Sequence, residues 1–215
     1  AGFSIVSYTG TGSDANVGHG LSSAPELIIT KSRSTTGDWK VHTSAIDGSW
    51  DVGTLNSTSA FGNSSYTAST NSIFYVGSGA PTNASSVTYV SYLLHSVKGY
   101  SKFGSYTGNG SLDAPFIHLG FKPAWLMIKR TDTTNSWVMF DNKRNAFNVV
   151  DKHLFANTTD PEDSSANYNE VDFLSNGFKL REDNNTINAS GGSYIYMAFA
   201  ESPFVNSSGI PNNAR

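Results

Sequence analysis

Apolar and polar positions alternate along this chain in short bursts, each cut off by a cluster of Gly, Ser, Thr, Asn or Pro. Alternation over a few residues puts successive side chains on opposite faces of a pleated ribbon, so each burst predicts a half-buried β-strand. The bursts fall at Phe3 to Tyr8, Glu26 to Lys31, Asp38 to His42, Ser72 to Val76 and Thr88 to Val97. They come again at Ser101 to Tyr106, Ala124 to Lys129, Ser136 to Phe140, Gly177 to Leu180 and Ser193 to Ala200. No segment carries a long stripe at 3.6-residue spacing, and only Val149 to Ala156 has room for a single helical turn. The pattern is that of an all-β protein.

The strands come in two matching sets. Ser7-Tyr8-Thr9-Gly10-Thr11-Gly12-Ser13 returns as Ser105-Tyr106-Thr107-Gly108-Asn109-Gly110-Ser111, an offset of 98 that also carries Pro25 onto Pro123, Lys31 onto Lys129 and Trp39 onto Trp137. Further on, Asn83-Ala84-Ser85 returns as Asn188-Ala189-Ser190 and Tyr89 as Tyr194, an offset of 105. The difference, 105 minus 98, is a net insertion of seven residues between Trp137 and Phe178, and a length change of that kind marks a loop. A single hairpin cannot bury its apolar face, so each set is expected to pair into sheets that stack. The domain reading is two tandem copies of an antiparallel β-sandwich-like, jelly-roll-like unit, residues 1–98 and 99–204, with a C-terminal tail at 205–215. Trp39 and Trp137, at matching places, are expected to be buried between sheets, because a position kept in both copies is better explained by a shared core than by a shared ligand.

Composition changes this picture in three ways. A formal net charge of −3 over 215 residues, with no basic cluster longer than Lys129-Arg130, provides no field for a phosphate backbone, which argues against nucleic acid as a partner. Cysteine is absent, so no disulfide or thiolate metal site can staple the fold. No apolar run reaches the roughly 18 to 20 residues that span a bilayer as a helix, and membrane insertion is not expected. The Asn-X-Ser/Thr triplets at Asn56, Asn63, Asn83, Asn157 and Asn188 are read as turns in an Asn/Ser/Thr-rich chain.

Chemistry is thin. Paired carboxylates for glycoside hydrolysis would sit most simply at alternating positions of one strand; Glu170 and Asp172 have that spacing but are expected in a solvated turn. Asp160-Pro161-Glu162-Asp163 lacks the alternating ligands and central Gly of a calcium loop, and the five histidines show neither His-X-His nor His-Glu-X-X-His spacing. The glycine pairs at Gly10/Gly12 and Gly18/Gly20 are turns, since no helix N-terminus follows them to hold a phosphate. No catalytic residue, metal or cofactor is therefore assigned. Trp50, Tyr66 and Tyr168 lie where the two copies differ most and are the candidate ligand-binding aromatics, able to stack on sugar faces while neighbouring Asn and Ser bond the hydroxyls.

The run Tyr100-Ser101-Lys102-Phe103-Gly104-Ser105-Tyr106-Thr107-Gly108-Asn109-Gly110-Ser111 is followed by Gly120-Phe121-Lys122-Pro123-Ala124, Ile128-Lys129-Arg130 and Phe173-Leu174-Ser175-Asn176-Gly177-Phe178-Lys179. With Tyr194-Ile195-Tyr196-Met197-Ala198-Phe199-Ala200-Glu201 and the ending Gly209-Ile210-Pro211-Asn212-Asn213-Ala214-Arg215, these words resemble a repeat of marine bacteriophage tail and fibre structural proteins. The first copy departs more from that wording, with Lys31-Ser32 in place of Lys129-Arg130. The resemblance implies a virion protein made in the bacterial host cytoplasm, located in a tail fibre, tail tip or capsid-attached fibre. Its partners would be other virion proteins and a host surface glycan or receptor, and it would work as a homo-oligomer, a trimer by analogy with such fibres. The alternatives left open are a free-standing carbohydrate-binding lectin and, third, a polysaccharide depolymerase.

Overall fold

The computed structural model describes residues 2–64, 66–162 and 170–201. In chain order the first part holds β1 (Phe3–Thr9), β2 (Ala15–Gly18), β3 (Leu27–Ser32), β4 (Lys40–Thr43), β5 (Asp51–Thr54), β6 (Gly62–Asn63), β7 (Ile73–Val76), α1 (Ala80–Asn83) and β8 (Thr88–Leu94). The second holds β9 (Ser101–Thr107), β10 (Phe116–His118), β11 (Pro123–Arg130), β12 (Trp137–Asp141), β13 (His153–Phe155), β14 (Val171–Leu174), β15 (Gly177–Leu180) and β16 (Ser193–Ala200). The chain divides into two compact units at Ser96/Val97. The fold is all-β with antiparallel sheets, as the alternation predicts.

Each unit has a large and a small sheet. In the first, the order is β1-β8-β3-β4-β5-β6, with β2 paired to β7; in the second it is β9-β16-β11-β12-β13, with β10-β15-β14 beside it. Substituting β9 for β1, β16 for β8, β11 for β3, β12 for β4 and β13 for β5 turns one large sheet into the other, except that the first carries β6 as an additional edge strand. The registers agree as well: Tyr8 faces Tyr89 where Tyr106 faces Tyr194, and Ile29 faces Tyr92 where Met127 faces Met197. Each core lies between its unit's two sheets. Ile28 and Leu93 meet Phe74, Val76, Leu21 and Trp50 in the first unit; Leu126, Ile128, Phe140 and Tyr196 meet Phe178, Leu180, Phe173 and Ile117 in the second.

The repeated words are a structural device. Asn83 and Asn188 are completely buried, and each amide clamps the glycine turn that ends the unit's first strand. Asn83 Oδ1 accepts from the Thr11 N–H at 2.8 Å while its Nδ2 donates to the Ser13 carbonyl at 2.6 Å. Asn188 repeats this with the Asn109 N–H at 2.9 Å and the Ser111 carbonyl at 2.9 Å, and adds a bond to the Glu182 carbonyl at 2.8 Å. A side chain on Gly10 or Gly108 would strike the carbonyl of Ala84 or Ala189 at 2.2 or 2.3 Å, which is why a glycine stands at that place in both copies. The tyrosine hydroxyls complete the knot: Tyr8 donates to Thr82 O and Tyr106 to Ile187 O, at 2.6 and 2.7 Å. The Asn-Ala-Ser triplets, read as turns, instead have Asn83 closing α1 and Asn188 in the loop before β16, and both asparagines face inward.

Several expectations need correction. Trp137 is buried at 1% exposure, whereas Trp39 is only half-buried and stacks at 6.3 Å on Tyr92. The Val149 to Ala156 segment, which has room for a single helical turn, instead contains β13, which pairs with β12 at Phe140–His153, so cross-strand pairing outweighs local propensity there. The short strands β2, β5, β6, β10, β13 and β14, of two to four residues each, lie outside the predicted bursts.

Candidate functional site

The two units diverge on the inner face of the large sheet. Carried across by the offsets, Lys40 and His42 of β4 correspond to Val138 and Phe140 of β12, Thr30 to Ile128, and Ser91 to Tyr196; Thr82, at the end of α1, corresponds to Ile187. In the second unit these five are buried core residues. In the first they are polar, and Thr30 and Ser91 are buried sharing a 2.7 Å hydrogen bond. Four of the five replacements, all but Lys40 for Val138, put a smaller polar side chain where the second unit has a larger one, and a cleft of about 510 Å³ lies beside Lys40, His42 and Thr82.

That cleft is lined by Asp14, Lys40, His42, Asn63, Tyr66, Tyr75 and Thr82 among others. Tyr66 is its centre: its ring stacks on His42 at 4.0 Å, meets Tyr75 edge-on at 5.3 Å, and its hydroxyl shares a 3.2 Å hydrogen bond with Thr82. At the rim, Asp14 accepts from the Ser78 N–H at 2.8 Å. A hydrogen bond from the Tyr75 hydroxyl, seconded by that amide, holds the Asp14 carboxyl below the usual carboxylate range and pushes the Tyr75 phenol up. Lys40 Nζ donates to Thr54 Oγ1 at 2.8 Å and lies 3.3 Å from Asp38.

His42 is the costly member. It is 3% exposed, and its Nδ1 has no hydrogen-bond partner. Burial, with a smaller contribution from the Lys40 ammonium, lowers its pKa from 6.5 to about 3, so the imidazole is neutral across the physiological range. An unmet buried polar atom costs about 1–3 kcal/mol, and the second unit places Phe140 here at 0% exposure. His42→Phe is therefore expected to raise stability by about 1–3 kcal/mol in equilibrium urea unfolding. The pH dependence follows from linkage: with the folded pKa depressed, the unfolded chain takes up the proton first, so this contribution is present above pH 6.5 and lost as pH falls towards about 3. Across that window the parent should lose more stability than His42→Phe; equal losses would show that His42 is not desolvated.

The three candidate aromatics part company. Tyr66 lines the cleft. Trp50 is 7% exposed in the core of its unit, and its carbonyl accepts from the Ser64 N–H and Oγ, so it supports the floor below Tyr66 and offers no free face. Tyr168 lies outside the described residues. Glu170 and Asp172, expected in a solvated turn, are buried instead, with Glu170 Oε1 3.2 Å from His153 Nδ1 and Asp172 bonded to Arg181 Nε at 2.6 Å. In the acidic loop, Glu162 pairs with Arg144 at 3.0 Å. Asp14, Lys40, His42 and Tyr75 were not singled out from sequence, although the signal was there: sliding 40 and 42 by 98 sets Lys against Val and His against Phe.

A family model described as Domain of unknown function (DUF7483) matches residues 1–203, and the chain belongs to that family. No curated protein and no solved structure matches it.

Proposed function

Starting from membership of that family, we propose that this chain is a bacteriophage virion protein of the tail fibre, tail tip or capsid-attached class, serving assembly and adhesion, and that its first unit binds a host surface glycan in the Tyr66 cleft. The observation that carries the adhesive part is the divergence between copies: at five positions where the second unit has core residues the first has polar ones, and three of these, Lys40, His42 and Thr82, line an open cleft. A polar group in a core position destabilises unless something meets it, and such departures mark functional sites. The cleft volume falls in the range of about 300–1,000 Å³ typical of small-ligand sites, and tyrosine beside hydroxyls and an amide suits a sugar. Asp14 is the single carboxylate among the described residues lining the cleft, so two-carboxylate hydrolysis has no second partner there, which favours binding over depolymerisation.

The virion part rests on the resemblance of the repeated words to phage fibre proteins. Assembly into a homo-oligomer, a trimer by that analogy, is supported by strand β1: it stands at the edge of its sheet with Phe3 and Ile5 at 49% and 60% exposure, and such an edge pairs readily with another chain. Weak glycan binding by each copy then gains through avidity.

Mass spectrometry of purified virions should find the chain at a fixed copy number, light scattering should find the isolated chain oligomeric, and a glycan array should register saccharide binding that Tyr75→Ala weakens by about tenfold. Absence from virions with retained sugar binding would leave the free-standing lectin; reducing sugar released from host polysaccharide would establish the depolymerase.

A further inference from the structure

Resting on the glycan reading of the cleft, we infer that its ligand is an uncharged pyranoside unit, recognised through hydroxyl hydrogen bonds and tyrosine contact with no net ionic contribution. Each charged group among the described lining residues already has a hydrogen-bond or ionic partner in the protein. Asp14 accepts from the Ser78 amide at 2.8 Å and from the Tyr75 hydroxyl, so its remaining lone pairs suit a neutral hydroxyl donor. Lys40 is committed to Thr54 at 2.8 Å and to Asp38 at 3.3 Å, which neutralises the one ammonium among the described lining residues. His42 stays uncharged, buried and stacked on Tyr66, with Nδ1 unmet by any protein group. A carboxylate, sulfate or phosphate on the ligand would have to enter beside Asp14 without an unpaired cation to receive it, and taking such a charge out of water unpaired is expensive. A neutral sugar meets no such barrier: it brings donors for Asp14 and acceptors for Asn63 and the cleft hydroxyls, and its C–H face lies well against tyrosine.

The second unit provides the control. At the places of Lys40, His42 and Thr82 it has Val138, Phe140 and Ile187, all buried in its core, so the same architecture exists in a filled form. His42→Phe and Thr82→Ile in the first unit copy residues that this fold already accommodates at those places. They should narrow the cleft and leave the chain folded.

The test uses the intact chain with methyl glycosides of glucose, galactose, mannose and N-acetylglucosamine against glucuronate and N-acetylneuraminate, read by saturation-transfer NMR and calorimetry. At least one neutral glycoside should bind, with affinity unchanged within about twofold when salt is raised roughly tenfold, because no screened charge pair contributes. His42→Phe, and separately the exposed-site variant Asn63→Ala, should each weaken it by about tenfold or more. Binding confined to the acidic sugars and weakened by salt would overturn the inference while keeping the cleft as a glycan site. Undiminished neutral-sugar binding by both variants, with their circular dichroism unchanged, would overturn it by placing the ligand elsewhere. If no saccharide of either class binds and a glycan array is also blank, the adhesion reading itself fails.

Discussion

Trp137→Ala is expected to destabilise the second unit by on the order of 3–5 kcal/mol, the range for truncating a fully buried large aromatic. The indole is 1% exposed, at the start of β12. Its backbone is tied as well: the Trp137 N–H donates to Asn157 Oδ1 at 2.7 Å, and its carbonyl accepts from the Ala156 N–H at 2.9 Å. These two bonds survive the substitution, so the loss reports the side chain. The matched variant is the informative comparison. Trp39 has the same backbone ties, to Asn56 Oδ1 and the Leu55 N–H, yet is half-buried, so Trp39→Ala should cost only about 1–2 kcal/mol. Equilibrium urea unfolding followed by far-ultraviolet circular dichroism measures both. Equal losses would mean that the two indoles are equally enclosed, contrary to the structure.

Asn188→Ala is expected to cost on the order of 3–5 kcal/mol, unusually large for removing one amide, because a single fully buried side chain makes four hydrogen bonds that are lost together. Asn109 N–H loses its acceptor, and the carbonyls of Ser111 and Glu182 lose their donor. The amide joins the Asn109–Ser111 turn to the Glu182 stretch, and alanine leaves that junction without its tie. Asn188→Asp should be no rescue, since a carboxylate keeps the acceptor but removes both donors and buries a charge. A loss under about 1 kcal/mol for Asn188→Ala would show that the glycine turn holds its shape without the clamp.

Much of this was legible in the residues. The alternation of Phe3 to Tyr8 and its return at Ser101 to Tyr106, the repeated glycine word and the repeated Asn-Ala-Ser word together describe two copies of one strand-rich unit. The seven-residue insertion even resolves further. Trp39 and Trp137 differ by 98, their capping partners Asn56 and Asn157 by 101, and Asn83 and Asn188 by 105, so three residues enter before Asn157 and four after it. What a repeated word does was less legible: an Asn in Asn-Ala-Ser looks like any surface turn until the glycine loop some 70 to 80 positions away closes over it.

Local pattern determined the strand identities, the all-β class and the duplicated plan, because side-chain alternation and turn chemistry act over a few neighbouring residues. Tertiary structure alone decided which side chains share an interior. Trp50 reads as an exposed loop aromatic and is core, Glu170 and Asp172 read as a solvated turn and are buried beside His153 and Arg181, and Lys40, His42, Tyr66 and Tyr75 become one cleft only when β4, β7 and the segment between them stack. The reason is that burial and hydrogen-bond satisfaction depend on which sheet face each strand turns inward and on what residues distant in sequence lay against it, and neither is encoded in any short window of the chain.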